Sequence, residues 1–143
     1  MPTILLMPNS IHNIFAALLA IFAAAIIAFS IIVLGHSIIP TPQGIDTNDF
    51  ESIKENFHLF EIKYFLFPLF AHGFASFVAS YLVSRLAKTY KFCFAIGIGI
   101  LFTFASLSLT IRIGHYNWIG IVEIMQYIPV SILGYKIWQR TRS

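Results

Sequence analysis

Four long stretches of this sequence contain no Lys, Arg, Asp or Glu: 1–45, 64–84, 92–111 and 124–135, the last reaching back to Ile113 with Glu123 as its single interruption. A helix needs roughly 20 mostly apolar residues to cross a hydrocarbon layer about 30 Å thick. The expectation is an all-α fold, a four-transmembrane-helix bundle with spans at about 12–35, 63–85, 91–112 and 118–138. Only 10% of the residues are charged and the mean hydropathy is +0.82, whereas soluble domains carry about 25% charge. Once four spans are laid out in 143 residues, only short loops and one longer connection, 36–62, are left. The reading is therefore a single integral membrane domain over 1–143.

The charge balance excludes other classes. Nine basic against six acidic residues give a net +3, but the basic side chains sit at the ends of apolar segments and form no stripe interleaved with aromatics. Nucleic acid is thus not an expected partner. Cys93 is the only cysteine, which excludes an internal disulfide, a C-x-x-C pair and a cysteine-rich zinc site; it reads as a small apolar helix residue. The first apolar run outlasts the 7 to 15 residues of a signal-peptide core, and no Lys or Arg precedes it, so it reads as a retained helix. The lipid bilayer is the expected partner, with a homo-oligomer or other membrane subunits as further ones.

Orientation follows from the excess of Lys and Arg in short cytoplasmic loops. Arg85, Lys88 and Lys91 separate the second and third segments, and Lys136, Arg140 and Arg142 follow the fourth, with no acid among them. Both regions, and with them the N- and C-termini, are expected in the cytoplasm. These clusters read as topology determinants rather than lipid-headgroup sites. Trp118 and Trp138 stand about 30 Å apart on a helix, which would put one at each headgroup level.

The connection to the second segment begins with Pro40, Pro42 and Gly44, a stiff extended turn. Asn48 followed by Glu51 then resembles a capping box, and Phe50, Ile53 and Phe57 recur at helical spacing, so a short amphipathic helix is expected in this outer loop. Asp46, Asn48, Asp49 and Glu51 do not make an EF-hand, because Phe50 and Glu51 occupy the fifth and sixth positions where a ligand and a glycine are required.

Helices in lipid associate through small residues. Ala16, Ala20, Ala24 and Ala28 form one stripe at four-residue spacing, and Ser76, Ser80 and Ser84 form another. Gly97, Gly120 and Gly134 allow close approach. Pro68 falls early in the second span, whereas Pro129 lies inside the fourth and is expected to kink it.

An ionisable residue within a span is costly to bury and marks a site by default. Glu123 is the only carboxylate in the four spans, and Gln126 and Tyr127 share its helical face. His72 lies in the second span with Ser76 one turn on, and His36 ends the first. All three ionisable groups fall in the expected outer half. Three readings stay open. The set can fix helix register; it can bind a proton, ion or small polar ligand; or His36, His72 and Glu123 can hold a metal, although no H-E-x-x-H spacing supports the last. His58 and His115 read as solvated loop residues. A two-histidine haem site fits His36 and His72 only loosely, and no nucleophile arrangement is present, so neither a cofactor nor catalysis is expected.

The run Gly35-His36-Ser37-Ile38-Ile39-Pro40-Thr41-Pro42-Gln43-Gly44-Ile45-Asp46 resembles the G-H-x-x-[YF]-P-x-P-x-G-x-D segment of a family of small uncharacterised bacterial four-helix inner-membrane proteins. The likeness extends over most of the chain, with Ile39 in place of the aromatic and Glu123 in place of an Asp or other polar residue. It implies a multi-pass protein of a bacterial inner membrane and singles out His36, but carries no activity. The functional expectation is a non-catalytic structural or accessory membrane component; the alternative is a ligand-, proton- or cation-binding, transport-like protein using His36, His72, Ser76, Glu123, Gln126 and Tyr127.

Overall fold

The computed structural model describes residues 8–114 and 118–142, and all regular structure among them is helical. The elements are α1 (Asn9–Ile38), α2 (Phe50–Glu55), a single 3-10 turn (Phe57–Leu59), α3 (Lys63–Leu86), α4 (Lys91–Ile113) and α5 (Trp118–Arg140). By length and composition α1, α3, α4 and α5 can each cross a membrane. His115 lies outside the described residues.

α1 runs past the expected 12–35 at both ends. Its last turn closes with the Ile39 amide donating to the Gly35 carbonyl, 2.8 Å, and it stops there because Pro40 has no N–H and drives Ile39 out of the helical region. In the connection the cap of α2 differs from the expected one. Asp49, not Asn48, is the N-cap, its Oδ1 accepting from the Glu51 amide at 3.1 Å; Asn48 instead donates its own amide to Asp46 Oδ1. A one-residue shift of this kind is invisible in sequence, since Asn and Asp cap equally well.

Burial is inverted relative to a water-soluble protein. Phe15, Leu18, Phe22 and Phe29 of α1 are exposed, while Ala16, Ala20, Ala24 and Ala28 are buried. The alanine stripe meets Ala71, Ala75, Ala79 and Val83 of α3 in one apolar core. The serine stripe of α3 serves a different neighbour: Ser76 Oγ lies 2.9 Å from Ser131 Oγ and donates to the Tyr127 carbonyl at 3.1 Å, and Ser80 donates to the Ser131 carbonyl. α3 thus carries two small-residue faces, one for α1 and one for α5. At the second face Gly134 abuts the α3 backbone itself, and at Gly99 of α4 the nearest neighbour is Ser131.

The result is a core of α3, α4 and α5 with α1 attached along α3. The α1 backbone comes close to that of α4 at few positions and, among the described residues, not to that of α5; α4 reaches the alanine core through Ala95 and Ile98. A cleft therefore remains between α1 and α4, with α3 as its floor. α5 continues helically through Pro129.

The end of the bundle at the α3–α4 turn is pinned by polar contacts. Asn13, 1% exposed, donates from Nδ2 to Thr89 Oγ1 (2.8 Å) and to the Thr89 carbonyl (3.1 Å), and accepts from the Lys88 amide (2.8 Å). His12 Nε2 meets the Leu86 carbonyl at 3.0 Å. Trp138 is buried at 7% exposure, with Lys91 Nζ and the Arg142 guanidinium over its ring at 4.9 and 5.1 Å. An indole face attracts cations, so two of the basic residues read from sequence as topology markers also cover the tryptophan.

Candidate functional site

A carboxylate placed in an apolar span must find a hydrogen-bonding partner on another helix. Glu123, five residues or about 7 Å into α5, finds His72 of α3. Glu123 Oε1 and His72 Nδ1 share a hydrogen bond of 2.6 Å, and Tyr127, one turn along α5, donates its hydroxyl to the same oxygen at 3.0 Å. Ser106 of α4, 9% exposed, lies against both Glu123 and Tyr127. Three helices thus converge on one carboxylate.

The supporting contacts follow from the α3–α5 seam. Ser76 binds the Tyr127 carbonyl, which fixes the tyrosine one turn from the pair. Gln126 donates from Nε2 to the Leu69 carbonyl at 3.1 Å. Its amide fits because residue 73 is glycine: a Cβ there would lie 2.5 Å from Gln126 Oε1. The Phe102 ring of α4 packs edge-on against Tyr127 with centroids 6.0 Å apart.

Of the residues singled out in sequence, His72, Ser76, Glu123, Gln126 and Tyr127 come together. His36 does not. It is exposed at the end of α1 and has no part in this hydrogen-bond chain, while its neighbour Gly35 takes the contact with Phe67 of α3. The three-residue metal set of His36, His72 and Glu123 is accordingly not assembled, and among the described residues no cluster of three His, Cys, Asp or Glu side chains could hold a metal ion. Gly73 and Ser106 belong to the site but were not marked by sequence. Ser106 is one of several hydroxyl residues in the third span, and only the fold selects it.

The pair is not sealed. The side chains of His72 and Glu123 keep 33% and 21% exposure, and both line a cavity of about 410 Å³ between α1 and α4. Ala28, Ile32, Phe102 and Leu109 supply apolar walls, and Ser106 and Tyr127 the remaining polar atoms. This combination, a mostly apolar concavity with a few convergent polar groups, is what small-molecule sites of roughly 300–1,000 Å³ look like. Chemically it can donate or accept hydrogen bonds and exchange a proton within the Glu–His–Tyr set. No family model, curated protein or solved structure matches the chain.

Proposed function

We propose that this chain is a non-catalytic, multi-pass membrane protein that binds a small polar group or a proton at His72, Glu123 and Tyr127. The observation that carries this reading is the 2.6 Å Glu123–His72 pair standing open to a cavity. A pair kept only to fix helix register has no need of a cavity, and register between α3 and α5 is already supported by the buried serines at 76, 80 and 131. Interhelical hydrogen bonds of that kind contribute about 0.6 kcal/mol each; close approach at Gly134 adds packing to them. The open pair is therefore available for binding.

Glu123→Gln and His72→Gln test the reading, because each changes the charge of the pair while keeping a polar side chain in the cavity that can still hydrogen-bond its partner. Thermal unfolding of detergent-purified protein is measured against short-chain alcohols, amides and monovalent cations. A bound probe at about 100 times its dissociation constant adds about 2.7 kcal/mol. The expected result is that at least one probe class raises the wild-type unfolding temperature and fails to raise that of both variants. Collapse of both variants to aggregates would instead make the pair a structural element, and probe effects unchanged in both would remove it from binding.

The proposed setting is a bacterial inner membrane with both termini in the cytoplasm. The basic residues at 85, 88, 91, 136, 140 and 142 support this orientation, which puts His72 and Glu123 in the outer half and the connection with α2 on the outer face. A fluorescent protein fused after Ser143 is expected to fluoresce, and a periplasm-dependent phosphatase fused there to stay inactive. The reverse pattern would invert the topology.

A further inference from the structure

The cavity beside Glu123 does not end at its polar floor. A second, almost wholly apolar pocket of about 360 Å³ lies between Ala17 and Ile21 of α1 and Gly97 and Leu101 of α4. Ile21 borders both, and their α4 linings, within 93–101 and 102–109, follow one another along the helix, so the two lie end to end in the gap between α1 and α4. From Ser106 to Gly97 the groove extends about 13 Å along α4, at 1.5 Å per residue. A Cβ at Gly97 would meet nothing within 4 Å, which is how a helix surface looks when no neighbouring helix fills it.

We infer that this groove binds a single-chain, lipid-soluble amphiphile with an uncharged oxygen head, a hydroxyl or carbonyl, seated at His72 and Glu123 and a hydrocarbon tail laid between α1 and α4. The inference rests on the reading that the pair binds a polar group, and adds what that group is attached to. Three observations select the occupant. The groove opens sideways between two helices whose backbones come close at few positions, so a molecule dissolved in the hydrocarbon layer reaches it without crossing water. Its second level offers apolar lining and no ionisable group apart from the Cys93 thiol, which suits a hydrocarbon tail. At the head, the imidazole already answers the carboxylate, and a further ionic charge would enter unpaired, a placement that burial penalises. Glu123 takes His72 Nδ1, and the side chain keeps 33% exposure; a hydroxyl can donate to Nε2 of the neutral ring, and a hydroxyl or carbonyl can accept from Nε2–H of the imidazolium. The polar seat lies near the end where α3 and α5 begin and the tail runs toward the middle of the helices, the sense in which a lipid of that leaflet stands.

The test uses the full chain reconstituted in phosphatidylcholine vesicles with hexadecanol carrying a photoactivatable diazirine in its chain. Labelling is expected on peptides containing 17–32 of α1 and 97–109 of α4. Unlabelled hexadecanol should compete for it, and hexadecyl phosphate should not. Gly97→Phe and Ala105→Trp each fill the groove from an open position and should reduce labelling about tenfold, the ratio set by a loss of about 1.4 kcal/mol. Phe22→Trp, on the outward face of α1, should leave it unchanged. Having two plug variants guards against misfolding of either. Labelling spread evenly over the outward faces of all helices, or insensitive to both plugs, overturns the inference. So does a cross-link between two copies of the chain through the groove, which would assign it to a partner helix. If short-chain alcohols stabilise the protein while hexadecanol does not label the groove, the tail assignment alone fails; if neither binds, the binding reading fails with it.

Discussion

Replacing Gly134 by Leu is expected to destroy or severely destabilise the bundle, while the same substitution at Gly97 leaves it folded. The contrast comes from what each position faces. A Cβ at residue 134 would lie 2.6 Å from the Phe77 carbonyl oxygen and 3.1 Å from both the Ser80 Cβ and the Tyr81 amide nitrogen. Two of those three are α3 backbone, which cannot rotate aside as a side chain can, so the helices must separate. Separation stretches the hydrogen bonds of Ser76 and Ser80 to α5 and pulls His72 from Glu123. Overpacking alone costs typically 1–3 kcal/mol, and with the seam lost the total should reach about 3 kcal/mol or more, some 10 °C in unfolding temperature for a chain of this size. Gly97 faces open space, and its substitution should stay within about 1 kcal/mol. Thermal unfolding and gel filtration of the two variants in one detergent decide the matter. Equal stabilities would mean that α3 and α5 do not approach as closely as Gly134 permits.

The second large effect is expected at Asn13→Leu. Asn13 is buried and makes three hydrogen bonds to the Lys88–Thr89 backbone and the Thr89 hydroxyl. Leucine occupies a similar volume and leaves all of those groups without their partner. Unmet buried polar groups cost about 1–3 kcal/mol each, reduced where solvent can replace the bond, so a net loss of about 3 kcal/mol is expected. The turn it holds is itself strained, with Tyr90 in the left-handed region at φ 52°, a conformation that costs a residue with a Cβ about 1–2 kcal/mol. Release of the clamp should therefore show locally as well as globally. Limited trypsin digestion is expected to cut at Lys88 or Lys91 faster in Asn13→Leu than in wild type, with Asn13→Asp in between because it keeps the acceptor for the Lys88 amide and loses both donors. Unchanged cleavage in Asn13→Leu would show that α1 does not hold the turn.

Asn13 also shows where reading the sequence stops. Nothing in its neighbourhood distinguishes it from Asn9 or Asn48, since its partners lie more than 70 positions away. Glu123 and His72 stood out individually because an ionisable side chain in an apolar run is locally conspicuous, and Gln126 and Tyr127 were carried along by helical spacing. His36 was equally conspicuous, yet the structure leaves it outside the site. The difference lies in which face of α1 turns toward α3: the alanines and Gly35 do, and His36, the next residue round the helix, does not.

The number of long helices, their approximate ends and their small-residue stripes are written in the residues themselves. These are local properties: a helix closes its hydrogen bonds within four residues, a proline ends it, and an uncharged run of about 20 residues is legible one window at a time. Which stripe meets which is settled by packing between helices. Both available faces of α3 are small, and nothing local in the chain tells that the alanines of α1 take one and Ser131 and Gly134 of α5 the other. That choice leaves α1 away from α4 and opens the groove over Glu123. Its physical cause is the absence of a hydrophobic drive between helices in lipid: without that force, the arrangement is settled by the fit of surfaces far apart in the chain.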